Sequence, residues 1–170
     1  MKKRNLILLA IVALCSVRGA ETTNSFGIYL TSEPVDKRII AYGRGDWSRI
    51  RLSEFPLISA ADIVSYDLRS HALRLRSEAL ARMPRPSVEG TPFVVVASGQ
   101  RVYLGVFTSS DSSREFAVPN IMVDRRVLVT NQISDILVIE RGSLGTAPDP
   151  RGDQRIKTVL AALHKLKGHE

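Results

Sequence analysis

The sequence predicts an α+β protein with a small antiparallel or mixed β-sheet and two or three short helices. Three patterns support this fold class. Thr91–Thr108 contains two runs of β-forming residues joined by Ser98-Gly99, which is the signal of a hairpin. His71–Arg76 alternates leucine with arginine after the apolar run Ile63–Tyr66, which predicts a second hairpin. Arg155–Lys167 carries apolar residues at helical spacing, which predicts an amphipathic helix.

The central hairpin is expected to contribute to both the core and the surface. Its first strand, Phe93–Ala97, is apolar throughout, which is typical of a strand inside a sheet. Its second strand, Arg101–Phe107, alternates apolar residues with others, so one face should be buried and the other should meet solvent. The side predicted to face solvent carries Arg101 and Tyr103.

Shorter elements are predicted before the central hairpin. Phe26–Leu30 and Trp47–Leu52 have strand patterns, and Gly43–Asp46 between them is a turn. Ser59–Asp62 has the residues of a capped single turn, because Ser59 can cap the turn and Asp62, three positions later, can form the reciprocal hydrogen bond to it. Ser77–Met83 predicts a short helix, which the following prolines end.

The chain beyond the central hairpin alternates between polar and apolar segments. Ser109–Glu115 is too polar to lie in a core and is predicted to be a loop. Three short apolar runs are strand candidates: Ile121–Val123, Val127–Val129 and Ile136–Ile139. Gly142–Gln154 is a linker by composition, because it is rich in glycine, proline and aspartate.

Met1–Ala20 has the layout of a secretory signal peptide, with basic residues, an apolar run at Leu6–Leu14 and small residues at the end. The apolar run is well short of the roughly 20 residues that a membrane-spanning helix needs. We therefore expect export to the periplasm or the extracellular space through a bacterial-type signal. The rest of the chain is expected to form an α+β domain at residues 21–141, a linker at 142–154 and an amphipathic helix at 155–168.

Cys15 is the only cysteine, and it lies inside the predicted signal. A lipoprotein signal has a small residue before its cysteine, whereas Leu14 stands here. Removal of Cys15 with the signal is therefore favoured over its lipidation. The mature chain would then have neither a disulfide nor a cysteine-based metal site.

Removal of the signal also lowers the formal charge from +7 to +3, because it takes away four cations and no acidic residue. Nucleic-acid binding calls for a clustered basic face. A weakly basic domain gives no such indication, so no nucleic-acid partner is predicted.

Four segments share a recognisable order: Leu73–Met83, Gly90–Gly99, Val102-Tyr103 and Val118–Ile121. A strand leads to a short helix, a glycine starts an apolar strand, a polar-Gly turn follows, and an apolar-Pro segment comes later. This order resembles the head subdomain of the first periplasmic domain of SecD/SecF, over about residues 73–121. The resemblance implies an α+β, head-like domain used for contacts with protein chains. It does not imply a translocase, because the membrane helices and the base subdomain of that family have no counterpart in this sequence.

No catalytic, cofactor-binding or metal-binding residue is predicted. The sequence contains no nucleophile elbow, no phosphate-binding loop and no HExxH motif. Ser70 and His71 are adjacent on a predicted strand, so their side chains point to opposite faces and cannot form a dyad. The carboxylates of Asp111, Glu115 and Asp124 have no spacing that requires a shared site. No cofactor is expected.

The tripeptide Arg-Gly-Asp occurs twice, at Arg44–Asp46 and Arg151–Asp153, in predicted loops. On an exposed loop of a secreted protein, such a tripeptide can be recognised by an adhesion receptor. Glycine and aspartate are common in turns of all proteins, and this chain is rich in arginine. We therefore favour turn formation over adhesion.

We expect an exported, non-enzymatic binding protein of the cell envelope, with a protein or peptide as its partner. Binding residues are often carried by loops on a rigid sheet. The expected contact surface consists of Arg101, Tyr103, Asp111, Arg114 and Glu115. One alternative is an exported hydrolase with a site assembled from scattered residues, which a cleft with two carboxylates or an acid beside His71 would favour. Another is a membrane-surface protein held by the basic C-terminal helix or by a lipidated Cys15.

Overall fold

The computed structural model describes residues 25–124, 128–129, 132–133, 135–142 and 148–167. The predicted signal peptide and part of the predicted linker lie outside these residues. The strands are β1 (Phe26–Leu30), β2 (Ile58–Ser59), β3 (Ile63–Asp67), β4 (Ala72–Leu75), β5 (Thr91–Ala97), β6 (Gln100–Thr108), β7 (Asn120–Met122), β8 (Leu128–Val129), β9 (Gln132–Ile133), β10 (Ile136–Glu140) and β11 (Leu166–Lys167). The α-helices are α1 (Lys37–Tyr42), α2 (Ser77–Ala81) and α3 (Gln154–Ala162), and two 3-10 turns lie at Ala60–Asp62 and Pro150–Gly152.

Nine strands form one mixed sheet that curls into a half-barrel, in the order β11-β3-β4-β10-β7-β6-β5-β1-β2. The pairs β6–β7 and β3–β11 are parallel, and the other neighbours are antiparallel. The prediction of an α+β fold with a small sheet is therefore wrong, because the structure is mostly β. Hairpins have local signals, whereas β1 and β10 join the hairpins by pairing with strands far away in the sequence. Such pairings leave no local signal.

The sheet has apolar residues on both faces, which we call inner and outer. On the inner face, Phe93 and Val95 of β5 join a large core with the apolar side of α3. On the outer face, Val94 joins a smaller core with α1 and Phe116. The prediction that this strand lies inside a sheet is correct, and side chains alternate between the two cores as the pleat requires. Full burial of one such side chain contributes about 1.5–3 kcal/mol, so both faces stabilise the fold.

The two-residue turn of the central hairpin is Ser98-Gly99, as predicted. Both residues have positive φ angles, 52° and 70°. This combination belongs to the type I′ turn, whose twist matches that of the strands it joins. Glycine reaches positive φ without a steric penalty, so the sequence signal and the geometry agree at this point.

The second strand of the hairpin, β6, has no half-solvated face. Every residue from Val102 to Thr108 is buried, and Tyr103 is only 4 % exposed. The predicted polar face is wrong, because Tyr103 packs edge-on against Phe93 in the inner core, with ring centroids 6.4 Å apart. Gly105 lies under the same ring, where an added Cβ would come within 2.3 Å of Phe93 Cζ.

Three helical turns begin with the same arrangement, which we call the Asp-X-Arg cap. The aspartate accepts a hydrogen bond from the main-chain N–H of the arginine two residues later, and the guanidinium of that arginine folds back onto the same carboxylate. The pairs are Asp36–Arg38, Asp149–Arg151 and Asp153–Arg155. They start α1, the second 3-10 turn and α3, respectively.

The C-terminal helix is shorter than predicted, because α3 ends at Ala162. The chain then turns at His164, whose φ is 54°, and Leu166–Lys167 pairs with β3 as β11. The apolar side of α3 is buried in the inner core. Trp47–Leu52 also differs from its prediction, since only Leu52 forms a bridge, to Thr31. No helix among the described residues is long and apolar enough to cross a membrane.

Candidate functional site

The segment Arg114–Pro119 crosses the outer face between α1 and β7. The N–H of Ala117 donates to the carbonyl of Ile40 in α1 (3.0 Å), and the N–H of Val106 in β6 donates to the carbonyl of Pro119 (2.9 Å). These bonds tie the segment to α1 on one side and to the sheet on the other. Three cavities adjoin the segment, so they share a well-supported wall.

The first, which we call the apolar cavity, has a volume of about 310 Å³ and lies beside the first half of β6. Its lining includes Ile39, Tyr42, Trp47, Leu104 and Pro150. Among the described residues, β7 pairs with β6 only from Val106 onward, so no described strand fills the space beside Leu104. Tyr42 is 63 % exposed and Trp47 is half-buried. The cavity can therefore accept an apolar side chain from outside.

The second, the charged cavity, has a volume of about 280 Å³ and shares Tyr42 with the apolar cavity. Glu89 bridges two cations there, accepting from Lys37 Nζ (3.0 Å) and from the guanidinium of Arg114. The hydrogen bond from Lys37, together with the charge of Arg114, lowers the pKa of Glu89. This cavity therefore presents fixed charges of both signs.

The third, the polar cavity, has a volume of about 200 Å³ and lies over β6, β7 and the end of β10. Its polar lining includes Thr108, Ser112, Arg114, Glu115, Asn120, Glu140 and Arg141. Thr108 is 3 % exposed, and its hydroxyl oxygen has no hydrogen-bond partner among the described residues. A buried hydroxyl without a partner costs about 1–3 kcal/mol, so it is an unusual feature for a core strand.

The structure brings together only part of the predicted contact surface. Arg114 and Glu115 line both the charged and the polar cavity, and Asp111 is exposed on the loop before them. Tyr103 belongs to the inner core and is almost fully buried, and it is also among the residues that line the apolar cavity. Arg101 is near the opposite end of β6, about 23 Å along the strand from Thr108, the last residue before the loop. The five residues therefore do not form one surface.

The spacing of Asp111, Glu115 and Asp124 did not require a shared site, and of the three only Glu115 lines any of these cavities. Asp124 accepts hydrogen bonds from the N–H and the hydroxyl of Ser110, which anchors the start of the loop to the end of β7. Glu115 shares the polar cavity with Glu140 and the charged cavity with Glu89. Sequence reasoning missed Glu140, because its position depends on the pairing of β10 with β7.

Of the residues that line the apolar cavity, Tyr103 was in the predicted contact surface, whereas Tyr42 and Trp47 were missed although a signal was present. Tyr42 and Trp47 flank the turn Gly43–Asp46, and large aromatic residues beside a polar turn are often exposed. Among the described residues, no group of three histidine, cysteine, aspartate or glutamate side chains could hold a metal ion.

No known family model, curated protein or solved structure matches this chain. The resemblance to the SecD/SecF head subdomain stays a prediction.

A separate polar group lies at the inner side of the sheet. The hydroxyl of Tyr66 is 2.8 Å from Nδ1 of His71, and Arg151 reaches the same neighbourhood from the second 3-10 turn. Burial raises the pKa of Tyr66, while burial and the charge of Arg151 lower the pKa of His71. Arg151 donates to the carbonyl of Ile139 and pairs with Asp149, whose pKa its hydrogen bonds lower to about 2.

These contacts stabilise the fold, and their geometry differs from that of a nucleophilic catalytic site. Nδ1 of His71 is hydrogen-bonded to the hydroxyl of the buried Tyr66. In a catalytic histidine of the serine-hydrolase type, that nitrogen is hydrogen-bonded to a carboxylate instead. The nearby carboxylate, Asp149, is engaged by a guanidinium. In the second Arg-Gly-Asp tripeptide, the charged groups of Arg151 and Asp153 are already engaged within the protein, because both residues belong to Asp-X-Arg caps. The first tripeptide, Arg44–Asp46, is exposed, and Asp46 accepts from Ser48.

Proposed function

We propose that this chain is an exported, non-enzymatic binding protein of the cell envelope that recognises a segment of another protein through the apolar cavity. One observation carries the proposal: an open cavity of about 310 Å³ bordered by the exposed Tyr42 and by Trp47. Tyrosine, tryptophan and arginine dominate the binding energy of protein interfaces. The cavity volume falls at the lower end of the range for specific binding pockets.

The surroundings of the apolar cavity favour a peptide segment as its occupant. Tyr42 connects the apolar cavity to the charged cavity, where Lys37, Glu89 and Arg114 lie. An apolar side chain of the partner would fill the apolar cavity, and a polar residue next to it in the partner's sequence would lie over the charged cavity. Such a pairing of an apolar centre with a charged border is the usual anatomy of a protein interface.

The apolar side of α3 has no part in this proposal. It is buried against the inner face of the sheet, with Ile156, Val159 and Leu160 in the core. A membrane-bound form would have to use other residues.

The test compares Tyr42→Ala with Phe55→Ala in the protein purified after export. Both residues are exposed aromatics, at 63 % and 73 %, and Phe55 lines none of the three cavities. Envelope proteins retained by the wild type would be identified and their Kd values measured. We expect Tyr42→Ala to weaken binding roughly 30-fold, as for a side chain contributing about 2 kcal/mol, and Phe55→Ala to bind like the wild type. Equal binding by both variants would refute the proposal.

One observation favours the hydrolase alternative: the polar cavity contains two carboxylates, Glu115 and Glu140. Paired carboxylates are the usual acid and base of glycoside hydrolysis. Hydrolysis of cell-wall glycan by the wild type that is abolished in both Glu115→Gln and Glu140→Gln would establish this function. A wild-type protein that releases no reducing ends would exclude glycan hydrolysis.

A further inference from the structure

We propose that the polar cavity binds a neutral, polyhydroxylated ligand of the size of one sugar residue. The proposal is separate from protein recognition at the apolar cavity: the two cavities share Arg141, but Thr108, Asn120 and Glu140 line the polar cavity and neither of the other two.

The chemistry of the lining favours a neutral ligand. Arg114 and Arg141 bring two positive charges, and Glu115 and Glu140 bring two negative ones. Charges of both signs line the cavity, and Arg114 is also paired with Glu89, so an anion or a cation would meet repulsive as well as attractive charge there. The same four groups supply strong donors and strong acceptors side by side.

A sugar hydroxyl donates one hydrogen bond and accepts others, so it needs donors and acceptors together. Asn120 adds an amide with both functions, and Ser112 adds a hydroxyl. The volume of about 200 Å³ is below the usual range for drug-sized ligands, which limits the occupant to a small ring or a single residue of a chain.

The buried hydroxyl of Thr108 is the second observation that points to a ligand. Thr108 lines the cavity, and its Oγ1 has no partner among the described residues. Buried polar groups nearly always have a hydrogen-bond partner, and the exceptions require a reason. A ligand hydroxyl in the cavity would provide the partner that the protein lacks.

The floor of the cavity is preorganised. Asn120 of β7 lies directly opposite Glu140 of β10 in an antiparallel pair. Side chains at directly opposed positions have Cβ atoms about 4.5–5.5 Å apart on one face of a sheet. Groups held at this spacing by strands position a ligand more precisely than groups on loops do.

The test is a titration of the protein purified after export, followed by NMR chemical shifts of the backbone amides. The probes are N-acetylglucosamine and its β-1,4-linked disaccharide, with sodium acetate, sodium phosphate and trialanine as comparisons. We expect saturable shifts at Thr108, Asn120 and Glu140 with the sugars alone. Absence of saturable shifts with the sugars, or equal shifts with an anion or with trialanine, would overturn the proposal.

Two variants locate the binding. Thr108→Val removes the hydroxyl and keeps the shape, so we expect at least tenfold weaker sugar binding with an undiminished Tm. Thr91→Val, on the neighbouring strand β5 and outside the cavity, is the matched control and should bind like the wild type. If Thr108→Val fails to fold, Glu140→Gln replaces it, with the same loss of affinity expected. Sugar binding that is unchanged in these variants would place the site elsewhere.

Discussion

His71 gives the protein a dependence on pH that can be stated with its sign. Burial and the charges of Arg151 and Lys157 lower its pKa, and the opposing charges of Asp149 and Asp67 only partly offset them. The unfolded chain therefore binds a proton near pH 6.5, and the folded chain binds it only at lower pH. Stability contributed by neutral His71 is present above pH 6.5 and is lost as the pH falls toward the folded-state pKa.

We predict that His71→Asn removes this part of the acid sensitivity. Asparagine tolerates the positive φ of 54° at this position. The measurement is the urea midpoint between about pH 7.5 and pH 5, where the wild type and His164→Asn should decline more steeply than His71→Asn. His164 is an apt control, because it has the same φ but is exposed. Parallel pH profiles for all three proteins would contradict the prediction.

Gly105 has a role set by close contact. A Cβ at this position would lie 2.3 Å from Phe93 Cζ and 2.8 Å from the carbonyl oxygen of Pro119, so backbone as well as side chain would have to move. We predict that Gly105→Ala destabilises the protein by about 1–3 kcal/mol, the usual range for overpacking. Gly152→Ala is the control, since nothing lies within 4 Å of its added Cβ. Urea unfolding of both variants measures the difference, and equal midpoints would disprove the argument.

At the scale of the element, the Asp-X-Arg caps explain why short helices form. Asp153 accepts from the N–H of Arg155 (2.8 Å) and also pairs with its guanidinium, whose hydrogen bond lowers the pKa of Asp153. We predict that Asp153→Ala lowers the free energy of unfolding by about 1 kcal/mol, as the loss of an N-cap usually does. Asp153→Asn keeps the cap acceptor and should retain most of the stability. If the two variants were equally destabilised in urea unfolding, the ion pair and not the cap would be responsible.

The elements also show which structural features can be predicted from the sequence. The turn at Ser98-Gly99 was predictable, because its signal lies in two adjacent residues. The burial of Tyr103 was not, since it depends on Phe93 and on the distant helix α3 that covers the inner face. Alternation in β6 identified two faces correctly but could not show that both were covered. The candidate site shares this limit, because Arg114 and Glu115 were recognised from a polar loop, whereas Glu140 required knowledge of strand order.

At the scale of the whole molecule, the last described strand protects an edge of the sheet. The N–H of Tyr66 donates to the carbonyl of Lys165 (2.7 Å), and Lys165 Nζ donates to the carbonyl of Ile63 (2.6 Å). We predict that deletion of residues 164–170 lowers the Tm and causes self-association, because it uncovers the edge of β3. Deletion of residues 168–170 alone leaves β11 in place and is the control. Thermal unfolding and light scattering measure the two effects, and identical behaviour of both truncations would refute the prediction.

The pairing of β11 with β3 also bears on the order of events during synthesis. Leu166 pairs with Tyr66, and β11 follows every other described strand in the chain. A nascent chain leaving a ribosome, or a translocating chain leaving a channel, therefore presents β3 as an open edge until Leu166 and Lys167 have also emerged. Completion of the sheet is consequently a late step, and the interval before it is when a holding chaperone would find a strand to bind.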